Sequence, residues 1–158
     1  MRPSEVLWAA LQAGELEGAP PAVPRDRPLR LRVGSLAALA SGVAAAPAEA
    51  IAEFHLLRRE FLDDWQVLRD DEERLAAVAA DPALVEPRVD AYLAALAEHL
   101  TTQAGLAPPR WVLEPSRFLA AWWWPGNTRA LDAVALRDSP AAFRRRGIFI
   151  GATTLVRV

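Results

Sequence analysis

Ile51, Phe54, Leu57, Phe61, Trp65 and Leu68 recur at spacings of three and four residues. A helix of 3.6 residues per turn gathers all six on one side, whereas a strand, with its period of two, would split them between its faces. The spacing predicts a helix of about five turns with one apolar side. Val89, Leu93, Leu96 and Leu100 form a second stripe of the same period, with Gly105 as its stop. Each stripe is too apolar to face water, so the two are expected to pack on each other. Three Ile, twelve Val and five Thr in 158 residues are few for a sheet protein of this size. The chain reads as mainly α.

Prolines and glycines place the remaining boundaries. Ser4 caps a short helix carrying Val6, Leu7 and Leu11, and Gly14 stops it. Residues 15–28 hold four prolines and read as a linker or extended arm. Leu29–Val33 alternates apolar residues with Arg, as a short strand or more linker would. Ser35–Ala46 suits a small Ala/Leu helix, and Pro47 suits the first turn of the next one. Asp70–Glu73 opens a helix with Leu75 and Val78, and Arg59–Asp63 and Asp70–Arg74 are spaced as i,i+4 pairs. Asp81-Pro82 is read as a cap for another turn. Pro115–Trp124 is read as a helix closed by Pro125-Gly126, and Thr128–Arg137 as a short one. Ser139-Pro140 starts the last helix, Gly147 ends it, and Ile148–Ile150 is β-prone. Two regions result: an irregular, Pro-rich N-terminal segment with short helices over 1–50, and a compact helical interaction domain over 51–158, with a short β element near its end.

Composition excludes much chemistry. The chain has no cysteine, hence no disulfide, thiolate metal site or cysteine nucleophile. All eighteen basic residues are Arg, so no lysine is present for a Schiff base or a Walker-type phosphate loop. His55 and His99 stand alone, without ligand spacing, and read as surface or boundary residues. No GxSxG elbow or Gly-rich phosphate loop occurs. No catalytic, metal or cofactor residue is assigned, and the expectation is a non-enzymatic protein. Met1–Leu11 has no long apolar core, and the longest uncharged stretch, Val33–Ala48, is too short for a bilayer. A soluble cytoplasmic protein is expected.

The C-terminal third carries the candidate partner-binding residues. Trp122, Trp123 and Trp124 are consecutive; on a helix they would fan over about 200°, so one core cannot take all three. Phe143, Arg144, Arg145, Arg146 and Phe149 complete the set, since Trp and Arg dominate interface hot spots. Residues 139–158 carry four Arg and no acid, while residues 49–73 carry nine acids and three Arg. The basic end is therefore free for a partner, protein or phosphate, or docks on the acidic helix of its own chain.

From residue 87 onward the chain resembles a group of small actinobacterial proteins. The resemblance rests on AYLAALAEHL (Ala91–Leu100), the turn Pro109-Arg110-Trp111, EPSRFL (Glu114–Leu119), WWWP (Trp122–Pro125) and SPAAFRRRGIFI (Ser139–Ile150). It extends back through REFLDDW (Arg59–Trp65). Some such proteins carry a repressor-type helix-turn-helix, which residues 1–50 here lack, and many are encoded beside nucleotidyltransferase-like toxins. The resemblance implies an antitoxin-like partner or regulator of a toxin; the alternative is a DNA-linked transcriptional regulator that contacts phosphates through its Arg cluster. A test of the helical reading is Leu96→Asp. Burying a large apolar side chain contributes roughly 1.5–3 kcal/mol, and a buried carboxylate adds its own penalty. The variant should lose its cooperative circular dichroism melt, and a melt like that of the wild type would show that this face is not core.

Overall fold

The second apolar stripe turns out to lie on the central helix of the fold. A computed structural model describes residues 34–126 and 129–155, all within one compact unit, Arg32–Val158. The Ser4 helix, the proline-rich stretch 15–28 and the Leu29–Val33 alternation lie outside the described residues. In chain order come α1 (Leu36–Ala44), a 3₁₀ turn (Pro47–Glu49) leading into α2 (Ala50–Val67), α3 (Asp71–Ala79) and α4 (Pro87–Gln103). Two 3₁₀ turns follow, Arg110–Leu113 and Pro115–Arg117, then a third, Arg129–Leu131, that enters α5 (Asp132–Asp138). A four-residue α6 (Ala141–Arg144) and a last 3₁₀ turn, Ala152–Leu155, complete the order. The fold is mainly α; among the described residues the β element reduces to one parallel bridge, Trp123 to Ile148.

Local chemistry explains the helix ends. Ser35 Oγ accepts the Ala38 N–H at 3.1 Å and opens α1. Pro87 sits in the first turn of α4, whose N–H groups at Arg88 and Val89 donate to the Glu86 carboxylate at 3.0 and 3.2 Å. At its other end, Leu106 N–H reaches Thr101 O and Gly105 N–H reaches Thr102 O, the paired bonds of a glycine-closed helix. α4 is buried without a break from Val89 to Ala97. Tyr92 and four alanines are inside along with the Leu/Val stripe, and the small residues let neighbours approach on all sides.

That all-round burial changes the packing expected from the stripes. The main packing neighbour of α2 is α1, which buries Leu36, Leu39, Ala40 and Val43. The approach is close at Gly42, where a Cβ would lie 2.6 Å from Leu57 Cδ1. α2 meets α4 through Phe54, set edge-on to Tyr92 with ring centroids 5.0 Å apart. α1 thus belongs to the core rather than to an irregular N-terminal segment.

Four other local expectations differ. Arg74 pairs with Asp71 at 3.5 Å and donates to Leu68 O at 3.1 Å, so the Asp70–Arg74 pair is replaced by its i,i+3 neighbour. Asp81 starts no helical turn; its carboxylate receives the Arg117 guanidinium. Ser139 does not cap α6: its hydroxyl donates to Ile150 O at 3.0 Å and accepts the Ile150 N–H at 2.7 Å, fixing the returning chain instead. Pro115–Trp124 is a helix only for the 3₁₀ turn Pro115–Arg117, for reasons given below.

Two buried guanidiniums join these pieces. Arg117, 1% exposed, also donates to Pro82 O, lies 4.0 Å from Asp90 Oδ1 and covers the Trp111 ring at 5.0 Å. Asp90 is itself 4% exposed, and burial pushes its carboxyl above the usual range against the pull of the Val85 N–H and Arg117. Arg146, also 1% exposed, donates to Glu98 Oε2 at 2.6 Å and to Ala142 O and Val112 O at 2.7 Å each. Removing such a group leaves buried acceptors unmatched, at a cost of about 3–5 kcal/mol. Arg146→Ala should therefore lower the urea midpoint severely, while Arg144→Ala, an exposed residue two positions away, should shift stability by less than about 0.5 kcal/mol. Equal losses in the two variants would refute this division of roles.

Candidate functional site

The chain bends at Phe118, Ala120 and Ala121 and is extended over Trp122–Trp124, where it pairs with the segment after α6. Trp123 N–H donates to Gly147 O at 2.8 Å, Phe149 N–H donates to Trp123 O at 2.9 Å, and Leu119 N–H reaches Arg146 O at 3.4 Å. Pro125 adds its own bias, since the residue before a proline avoids helical backbone. Gly147, at φ +75°, lets the chain leave α6: its N–H goes to Arg144 O and that of Ile148 to Phe143 O. A Cβ there would also press on Trp122 Cδ1 at 3.3 Å.

Extended backbone alternates its side chains. Trp123 turns inward, edge-on to Tyr92 at 6.3 Å and beneath the Arg88 guanidinium at 5.7 Å. Trp122 and Trp124 share the other side, 6.1 Å apart, and both meet Phe149: Trp122 edge-on at 5.3 Å and Trp124 stacked at 4.9 Å. Trp122 is 68% exposed. The helical fan expected for the three indoles is replaced by this two-sided split.

Of the eight residues singled out in the sequence, Phe143, Arg146 and Phe149 are buried. Phe143 packs on Tyr92 at 4.9 Å and belongs to the core. Trp123 and Trp124 are half-buried. Trp122, Arg144 and Arg145 are exposed, and Phe118 joins them at 37% exposure beside the Arg145 guanidinium, 5.9 Å from its ring. Arg145 pairs with Glu98 Oε2 at 2.6 Å; Arg144 has no partner among the described residues. Within the basic end, Arg145 and Arg146 dock on their own chain, on Glu98 of α4.

Trp124 and Phe149 also line a cavity of about 500 Å³ that sequence reasoning missed. Its wall combines His55 and Arg58 of α2, Trp124, Val134 of α5, and Phe149 and Thr154 from the end of the described chain. Arg58 donates to Tyr92 OH at 2.7 Å, yet its Nε is buried without a hydrogen-bond partner, as is Trp124 Nε1. The only legible signal would have been the polar pair His55 and Arg58 on the rim of an otherwise apolar α2 face.

Burial, helped by Arg58, holds the His55 imidazole below the usual histidine range, and burial alone does the same for His99, which faces Phe143. No group of three His, Asp or Glu able to hold a metal occurs among the described residues. Nor is any single helix there long and apolar enough to cross a membrane. Comparison with known proteins finds no family model, no curated protein and no solved structure that matches the chain.

The histidines give a signed pH dependence. The unfolded chain takes up their protons near pH 6.5, while the folded chain refuses them until lower pH. Stability should therefore fall as pH drops below about 6.5, until the lowered folded-state values are passed. The double variant His55→Gln/His99→Gln should lose less stability than the wild type between pH 6.5 and about 5, read from thermal midpoints. Identical slopes would show that neither imidazole is perturbed by folding.

Proposed function

We propose that this protein is a non-enzymatic interaction module that binds a protein partner through the surface formed by Phe118, Trp122, Arg144 and Arg145. The observation that supports it is Trp122: a large indole left 68% exposed yet held on a fixed aromatic base, with Arg144, exposed and without a partner among the described residues, at the end of α6. An aromatic anchor that is already rigid loses little freedom on binding, and Trp and Arg carry most interface energy. The partner it fits presents an apolar pocket for the indole and carboxylates for the guanidiniums. The resemblance of residues 87–158 supports a toxin encoded beside the gene as that partner, with this chain as its antitoxin-like regulator.

Co-purification with the neighbouring gene product, followed by titration, tests the proposal. Trp122→Ala and Arg144→Ala should each weaken binding by more than about 1 kcal/mol, roughly fivefold, while leaving the thermal midpoint nearly unchanged. Should the partner instead be DNA, Arg144→Ala would reduce the log–log salt slope by about one, and the protein-partner reading would fall. Unchanged affinity in both variants would also overturn it.

A further inference from the structure

A second, smaller groove opens between α2 and α3, and it carries one sign of charge. Its volume is about 180 Å³; Phe61, Asp64, Trp65, Val67 and Leu68 line it from the α2 side and Ala77 from α3. A cavity of about 150 Å³ holds benzene, so a space of this size suits one aromatic side chain rather than a helix. Val67, in its wall, is 62% exposed, an apolar side chain that an occupant would cover. Asp64 is the one charged residue in the wall among the described residues. The stretch that joins Leu68 to Ala77 adds Asp70, Asp71, Glu72 and Glu73, all exposed. Against them stand Arg69 and an Arg74 already held by Asp71 and Leu68 O. Acids suit the start of α3 on their own account, and they also set a negative field beside the groove.

The occupant that fits such a groove is an exposed aromatic side chain with cations beside it. The same chain presents one. Trp122 is 68% exposed on its Phe149 base, and Arg144 and Arg145 are exposed at the end of α6. Trp and Arg are the side chains that anchor interfaces most often. So exposed an indole does not fill the groove of its own molecule, and no residue belongs both to the groove wall and to the Trp122 ring contacts. A meeting of the two surfaces therefore takes two molecules.

We propose that the protein self-associates head to tail, the Trp122 indole of one copy entering the α2–α3 groove of the next, with Arg144 and Arg145 facing Asp64 and the acids of 70–73. The contact joins two different patches, so a dimer keeps one free groove and one free Trp122, and growth stops only where a ring closes. The inference rests on the reading of Trp122 and its arginines as an anchor. An indole seated in a neighbouring copy is withheld from any other protein, so self-association and partner binding compete.

Sedimentation velocity of the full chain tests this. A contact with a single anchor is small and weak, so the average mass should rise between about 10 µM and 1 mM, and rise less at about 0.5 M salt. Trp122→Ala keeps the groove and removes the anchor; Val67→Arg keeps the anchor and sets a cation in the groove wall. Each variant alone should stay monomeric. Mixed in equal amounts, they should form a one-to-one dimer that grows no further, because one anchor and one groove remain between them. Thermal midpoints confirm that the variants are folded, and Asp64→Lys takes the place of Val67→Arg if the latter is not. The proposal is overturned if the wild type is monomeric throughout, if either variant associates like the wild type, or if the mixture forms no dimer. A monomeric wild type that still binds the neighbouring gene product through Trp122 would end this proposal and leave the partner reading standing. Self-association through Trp122 without binding of that product would do the reverse.

Discussion

A single buried guanidinium, that of Arg146, connects the two halves of this fold. It reaches Glu98 on α4, Ala142 O within its own helical turn and Val112 O in the 110–113 turn, and it covers Phe118 at 4.9 Å. The C-terminal third needs such a group because its regular elements are so short. α6 is four residues long, and its neighbours are 3₁₀ turns and extended chain, which leave carbonyls that no helix or sheet ladder satisfies. A fork of five N–H donors supplies what a ladder would. Arg117 does the same at the other end of α4, holding the 80–86 loop through Asp81 and Pro82 O. Desolvating two charges is unfavourable, so each is matched by a carboxylate and by backbone oxygens rather than left to packing alone.

Once Arg146 is inside, its neighbours are forced to other positions. Successive residues on a helical turn point about 100° apart, so three consecutive arginines cannot share a direction. Arg146 enters the core, Arg145 lies across Glu98 at the boundary, and Arg144 faces out. The three indoles divide by a different rule, the twofold alternation of extended chain, which buries Trp123 partway and exposes Trp122. Two local periodicities, 3.6 and 2, thus sort six chemically similar residues into structural and exposed roles.

The exposed surface and the cavity share a wall. Phe149 and Trp124, stacked at 4.9 Å, form the base on which Trp122 stands and also one side of the cavity. Phe149 is 4% exposed and anchored on either side by the bridge at Ile148 and the Ser139 bond to Ile150, so the wall is tied to rigid backbone.

Sequence alone determined the elements whose causes are local. The two apolar stripes, the Ser35 cap of α1, the Gly105 and Gly147 helix ends and the mainly α class follow from spacing and capping chemistry that act within one turn or one helix. Tertiary structure decided everything that depends on a distant partner. Pro115–Trp124 reads as a helix in sequence because the bonds that end it after Arg117, from Leu119 and Trp123 N–H, go to Arg146 and Gly147 more than twenty residues later and were not legible. The burial of Arg117 and Arg146 depends on acids and carbonyls 27 to 48 residues away, which no spacing rule connects. The packing of α2 mainly on α1 was not legible either, because two stripes of the same period do not say which helices meet. The cavity, assembled from α2, Trp124, α5 and residues 149–154, exists only because those long-range contacts bring four stretches of chain together.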